Sequence, residues 1–335
     1  MTGAEMERFE ALRGVFERNF RITRLYAAYL EHCPELIKEE PVKILTSEGD
    51  ISRTEAVVAL VSEILGLDFE KAGDRELIRD YLTSSVRLLD AKRYENNPYY
   101  KSIRIDNVVD GRWELRREAY EPYRAIMAGD MILRPDFSEV PPLGFFTERF
   151  EFPAVLEDGN EWMTLTPVDL DTAEEAIEAA HGDVVTFGLG LGYYAYMVSE
   201  KETVRRVVVV EKSAEVIALF RRYILPQFAH GDKIEIVEAD AFEYAERVMP
   251  GEGFDVAFVD TWRDASDGTP MYKRMKKLEK LNTGTHFLYW IENFLISRAR
   301  AERFAEIEAA IENGDANAPK SYSEVLHLLT EGLLG

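Results

Sequence analysis

Residues 184–194 read Val-Val-Thr-Phe-Gly-Leu-Gly-Leu-Gly-Tyr-Tyr, an apolar strand pattern that runs into three alternate glycines and then a helix. Glycine has no Cβ, so such a bend admits positive φ and lets a ligand lie against the main chain, while the helix that follows presents free N–H groups. The same bend also serves where a chain simply needs a tight strand-to-helix turn. A dinucleotide loop, G-x-G-x-x-G, needs its third glycine at position 193, which is Tyr193. The spacing Gly188, Gly190, Gly192 fits instead the looser loop that holds a nucleoside joined to an amino-acid tail.

Around this loop the chain alternates strand and helix. Strands are expected at Val184–Phe187, Val207–Val210, Ile234–Val237, Val256–Val259 and Phe287–Trp290. Near-continuous apolar strands separated by helices indicate a parallel sheet covered on both faces. Ser213 caps one intervening helix, and Thr269 with Pro270 at the first helical position is expected to open another. The tail suggests two further helices, about 294–313 and 321–334.

The first 135 residues carry helical spacing. Phe9, Leu12, Phe16 and Phe20 share one expected face of a helix that Pro34 ends. Ser52 with Glu55 forms a capping box ahead of Val57, Val58 and Val61, and a third helix is expected over 74–92. Between 146 and 165 the pattern alternates about Glu157-Asp158-Gly159-Asn160, the signature of a hairpin. Asp171 with Glu174 is expected to cap the next helix, through Ala180. The expected organisation is thus a helical segment 1–135, a hairpin connector 136–168, and a doubly wound, Rossmann-like α/β segment 169–335.

Acids stand at the ends of successive strands. Glu211 closes the second, 19 residues beyond Gly192, where a carboxylate can accept from both hydroxyls of a ribose. The third ends in Glu238-Ala239-Asp240-Ala241-Phe242, where a carboxylate suits an exocyclic amine and Phe242 a purine ring. The fourth ends at Asp260. Asp240 and Asp260 equally suit helix caps.

Over about 168–293 these features resemble the class I S-adenosylmethionine-dependent methyltransferases. The resemblance implies that Gly188, Gly190 and Gly192 face the methionine tail, Glu211 the ribose and Asp240-Ala241 the adenine, with Tyr193, Tyr194 and Trp262 as packing or cation–π contacts. Within that family, Asp260-Thr261-Trp262-Arg263-Asp264 and Glu292-Asn293 are similar to stretches of catechol O-methyltransferase. That similarity implies a Mg2+ site at Asp260, Glu292 and Asn293 and a catalytic pair at Asp260 and Arg263. Where that family has a lysine base, Arg263 stays protonated and cannot accept a proton. Aminopropyltransferases share the hairpin and an acid-rich loop after the fourth strand, and a catalytically silent S-adenosylmethionine-binding protein is the remaining alternative.

Composition narrows the partners. With 40 basic and 62 acidic residues the formal charge is −22, which disfavours nucleic acid and anionic lipid and favours a small-molecule or protein acceptor. Cys33 is the only cysteine, so neither an intrachain disulfide nor a thiolate metal cluster can form. Lys273, Arg274, Lys276, Lys277 and Lys280 make a basic helix face. The expectation is a cytoplasmic chain, with the helical segment as a lid, substrate or dimer contact.

Overall fold

Thr2 and Glu5 exchange side-chain and backbone hydrogen bonds, a reciprocal cap from which the helix Gly3–His32 runs for 30 residues. Its buried face does not stay on one line. Phe9, Leu12 and Phe16 pack with Phe304, Ile307, Val325 and Leu329, the rings of Phe16 and Phe304 stacking at 4.1 Å. Ile22, Tyr26 and Tyr29 belong to a second cluster with Val57, Val61, Tyr81 and Phe145. At about 100° per residue, the second set points roughly 100° round the helix from the first. Phe20, expected inside, falls after the change of face and is 65% exposed. The buried Asn19 takes its place, accepting from the Tyr81 hydroxyl at 2.8 Å and donating to the Phe137 carbonyl at 2.8 Å.

The computed structural model describes residues 1–331 and 333, divided into two compact units. The first comprises Met1–Leu89, Pro122–Thr147 and Asn293–Gly335, the second Asp90–Glu121 and Glu148–Glu292. Both are discontinuous, unlike the contiguous segments expected at 135 and 168. The last of the expected tail helices is Tyr322–Leu329; its anticipated end at Leu334 lies outside the described residues.

In the first unit, Ser52 caps Arg53–Ile64 as expected. The helix expected over 74–92 is broken instead. It runs as Ala72–Leu77, a wider turn at Ile78–Leu82 and Thr83–Ser85. Val86–Leu89 then leaves as a strand parallel to Leu143–Phe146. Tertiary pairing overrides the helical spacing here, and Val86 and Phe145 bury in the resulting core.

In the second unit, β1 (Gly182–Phe187), β2 (Val204–Glu211), β3 (Ile234–Glu238), β4 (Val256–Val259) and β5 (His286–Tyr289) form one sheet. They pair in parallel in the order β3-β2-β1-β4-β5. This is a Rossmann-like, doubly wound arrangement in which the order reverses between β1 and β4, the place where α/β sheets open a crevice at their carboxyl ends. The hairpin belongs to a separate four-stranded antiparallel sheet, ordered Val108–Asp110, Trp113–Tyr120, Phe150–Glu157, Asn160–Thr164. Its turn is Asp158-Gly159, at φ 51° and 77°, the two-residue mirror turn that matches strand twist.

Two helix starts differ from expectation. Asp264 caps Ala265–Leu278 in a capping box with Asp267, so the helix opens ahead of Thr269 and carries Pro270 inside it. Thr166 and Asp169 cap Pro167–Ala179, so Asp171 lies within that helix; Arg93 pairs with it at 2.9 Å. In both cases a reciprocal box earlier in the chain supplies more N–H partners than the later residue. No described helix is long and apolar enough to cross a membrane.

Candidate functional site

The site is assembled at the reversal between β1 and β4. Gly188, Gly190 and Gly192 all take positive φ, 101°, 49° and 74°, so the bend is one only glycine adopts without strain. The Gly188 N–H donates to the Val210 carbonyl at 2.9 Å, tying the bend to β2. A Cβ on Gly188 would stand 1.9 Å from the Asp260 carbonyl oxygen, and one on Gly192 2.3 Å from the Phe220 ring. The loop is therefore held flush against β4 on one side and the helix after β2 on the other.

Glu211, buried at the end of β2, fixes the loop from within. It accepts from the Leu189 N–H at 3.2 Å and from the Ser213 N–H at 2.8 Å. A carboxylate has about four lone-pair positions, and these bonds engage one on each oxygen.

Asp240 is exposed and caps the helix Ala241–Arg247, its Oδ1 accepting from the Phe242 and Glu243 N–H groups. The cap uses one oxygen, which leaves Oδ2 outside the helix. Ala241 and Phe242 are buried, and the Arg274 guanidinium lies 4.2 Å from the Phe242 ring centroid.

A cavity of about 30 Å3 is lined by Met163, Asp169, Thr186, Gly188, Leu189, Tyr193, Tyr194, Asp260 and Trp290, among others. Its acids repel one another. Burial, with the charges of Asp169 and Glu211 behind it, pushes the Asp260 carboxyl up to about 8. Burial raises Asp169 to about 6 against the bonds it accepts from Thr166. No Lys, Arg or His pairs with Asp169 or Asp260 among the described residues.

Buried polar atoms without a partner gather nearby. Among the described residues they include Thr261 Oγ1, Trp262 Nε1 and Trp290 Nε1 at the ends of β4 and β5. Trp262 stacks on Tyr289 at 6.2 Å. Trp290 precedes Ile291, whose φ of 48° is rare for a β-branched residue and stores about 1–3 kcal/mol at the exit of β5.

A short helix capped by Asn97, Pro98–Ser102, supports this loop. Tyr99 donates its hydroxyl to the Leu191 carbonyl at 2.5 Å, Tyr100 to the Leu165 carbonyl at 2.5 Å, and Asn97 donates to the Tyr193 hydroxyl at 3.0 Å. The sequence reading also missed Asp169, Met163 and Trp290. For Asp169 a signal existed, because Thr166-Pro167-Val168-Asp169 has the spacing of a capping box.

The other expected positions have partners of their own. The Arg263 side chain is 87% exposed and faces Asp267. Glu292 accepts from the Tyr272 hydroxyl at 2.6 Å and stands 3.9 Å from the Lys276 ammonium. Asn293, in the other unit, gives its side-chain N–H to the Met131 carbonyl at 3.0 Å and its backbone N–H to Asp130 at 2.9 Å. Among the described residues no group of three or more His, Cys, Asp or Glu could hold a metal ion. These surroundings do not suit a divalent cation, since Glu292 already faces a cation of the chain itself.

The donor set does suit a positively charged nucleoside. A glycine bend, a carboxylate with open lone pairs beside it and two further acids without counter-ions are what a sugar and a cationic tail require.

No known family and no curated protein matches the chain. Among solved structures it is similar to spermidine synthase from Thermotoga maritima (TM-score 0.30, 19% identity, 46% of this chain and 58% of that one). A spermidine synthase in complex with the transition state analogue AdoDATO gives the same values. Precorrin 8w decarboxylase from Methanobacterium thermoautotrophicum is similar at TM-score 0.26 and 22% identity, over 41% of this chain and 66% of that one. The chain spans 58% of the length of the spermidine synthases that it matches.

Proposed function

We propose that the second unit binds S-adenosylmethionine at 188–192 and transfers its methyl group to a small-molecule acceptor. The observation that carries this reading is the Glu211 carboxylate, hydrogen-bonded to Leu189 of the glycine bend at the point where the sheet order reverses. When bound, the sulfonium supplies an already activated methyl group, which leaves the protein to orient, exclude water and manage a proton.

Each task has a residue. Glu211 faces the ribose with its open lone pairs and holds the loop in register. Asp240 offers Oδ2 to the adenine amine while Oδ1 keeps the cap. Asp169, raised only to about 6, puts negative charge beside the cationic centre at neutral pH. Asp260, with its carboxyl near 8, exchanges a proton close to neutral pH and is the group suited to take the acceptor's proton. Arg263 and a divalent cation are given no role.

One observation favours a second reading. Asp169, Asp260 and Glu211 converge without a cationic partner, which also suits an amine acceptor and transfer of an aminopropyl group. Calorimetry with S-adenosylmethionine tests the site. Product analysis separates the readings: S-adenosylhomocysteine marks methyl transfer and methylthioadenosine marks aminopropyl transfer. Absence of binding removes both.

A further inference from the structure

The space over Gly190 is filled by the chain's own sulfur. A Cβ built there would lie 2.1 Å from Sδ and 2.5 Å from Cε of Met163, and Met163 lines the same cavity as Gly188, Asp169 and Asp260. That cavity, about 30 Å3, has room for one or two waters. Pockets that enclose a ligand the size of a nucleoside measure roughly 300–1,000 Å3. With Met163 on Gly190, the loop is closed to such a molecule.

Met163 stands where it can leave. Its strand, Asn160–Thr164, is the outermost of its sheet and pairs on one side only, with a register shift between Val155 and Leu156 opposite it. An edge strand gives up one ladder where a central strand would give up two. The side chain itself is unbranched, and its thioether can repack without disturbing the strand.

We propose that Met163 is a displaceable plug on the glycine bend: its thioether occupies the place of the ligand's sulfur-bearing tail and must swing off Gly190 for the ligand to enter. This inference rests on the S-adenosylmethionine site proposed above. The measured affinity is then reduced by the fraction of molecules in which Met163 still covers the loop.

The test uses S-adenosylhomocysteine and the full chain. Calorimetry should show binding about five- to tenfold tighter in Met163→Ala than in the wild type, and about tenfold or more weaker in Met163→Phe. In wild-type protein labelled with [methyl-13C]methionine, the Met163 resonance should shift when the probe is added. Equal affinities in all three proteins, or a Met163 resonance unmoved by bound probe, would overturn the plug and leave the nucleoside site standing. No binding by any of the three, the open Ala variant included, would overturn the nucleoside reading and the plug with it.

Discussion

The carbonyl oxygen of Asp260 lies 1.9 Å from the point that a Cβ on Gly188 would occupy. The loop and β4 are therefore in backbone contact, and no side chain can give way between them. Gly188→Ala should cost about 3 kcal/mol or more, from the clash and the φ of 101° together. Gly159 has a φ of 77° with nothing within 4 Å of its missing Cβ, so Gly159→Ala should cost only about 1 kcal/mol. Urea denaturation of the two variants compares them directly.

Tyr99→Phe removes the hydroxyl that donates to the Leu191 carbonyl and leaves that carbonyl buried without its partner. The expected loss is about 1–2 kcal/mol. Amide exchange should quicken over 188–193 and stay unchanged in β5. Uniform quickening over both would make Tyr99 an ordinary core residue.

Asp260 makes stability fall as pH rises. Burial pushes its folded carboxyl up to about 8 from the ordinary 3.8, so between those values the folded state binds the proton and the unfolded state does not. The native advantage is full below about pH 4 and is lost as pH climbs to about 8. Asp260→Asn should be more stable than wild type at pH 8, by an amount on the order of 2 kcal/mol, with little difference at pH 4. Asp169, raised to about 6, contributes a slope of the same sign that persists in the variant up to that pH. Denaturant midpoints at pH 4, 6 and 8 give the result.

Asp240 has two separable jobs. Asp240→Ser keeps an N-cap oxygen and should hold stability within about 0.5 kcal/mol, whereas Asp240→Ala should lose about 1 kcal/mol. If Oδ2 meets the adenine amine, both variants should bind S-adenosylhomocysteine less tightly. Wild-type affinity in the Ser variant would confine Asp240 to the cap.

What the sequence disclosed was whatever is local. The glycine bend, Glu211 at the end of β2, the Ser52 cap and the Asp158-Gly159 turn are each set by residues within a few positions of one another. The five parallel strands were legible because their apolar runs are nearly continuous. Contacts between distant segments were hidden. Tyr99 meets Leu191 across 92 positions, and Met163 reaches Gly190 from a strand of another sheet. Val86–Leu89 reads as helix until its partner at 143–146 is known. Pro270 looked like a helix start because proline favours that place, but the Asp264 box upstream opens the helix first.

The change of face along the first helix carries a consequence for phasing. Phe16 and Ile22 anchor different walls of one rod, about 120° apart, and that angle is fixed by residue count. One residue inserted between them would turn everything downstream by about 100°. Tyr26 and Tyr29 would then swing out of their packing while Phe9 and Leu12 stayed in theirs. The length of this rod is therefore as tightly bound as the chemistry of its buried positions.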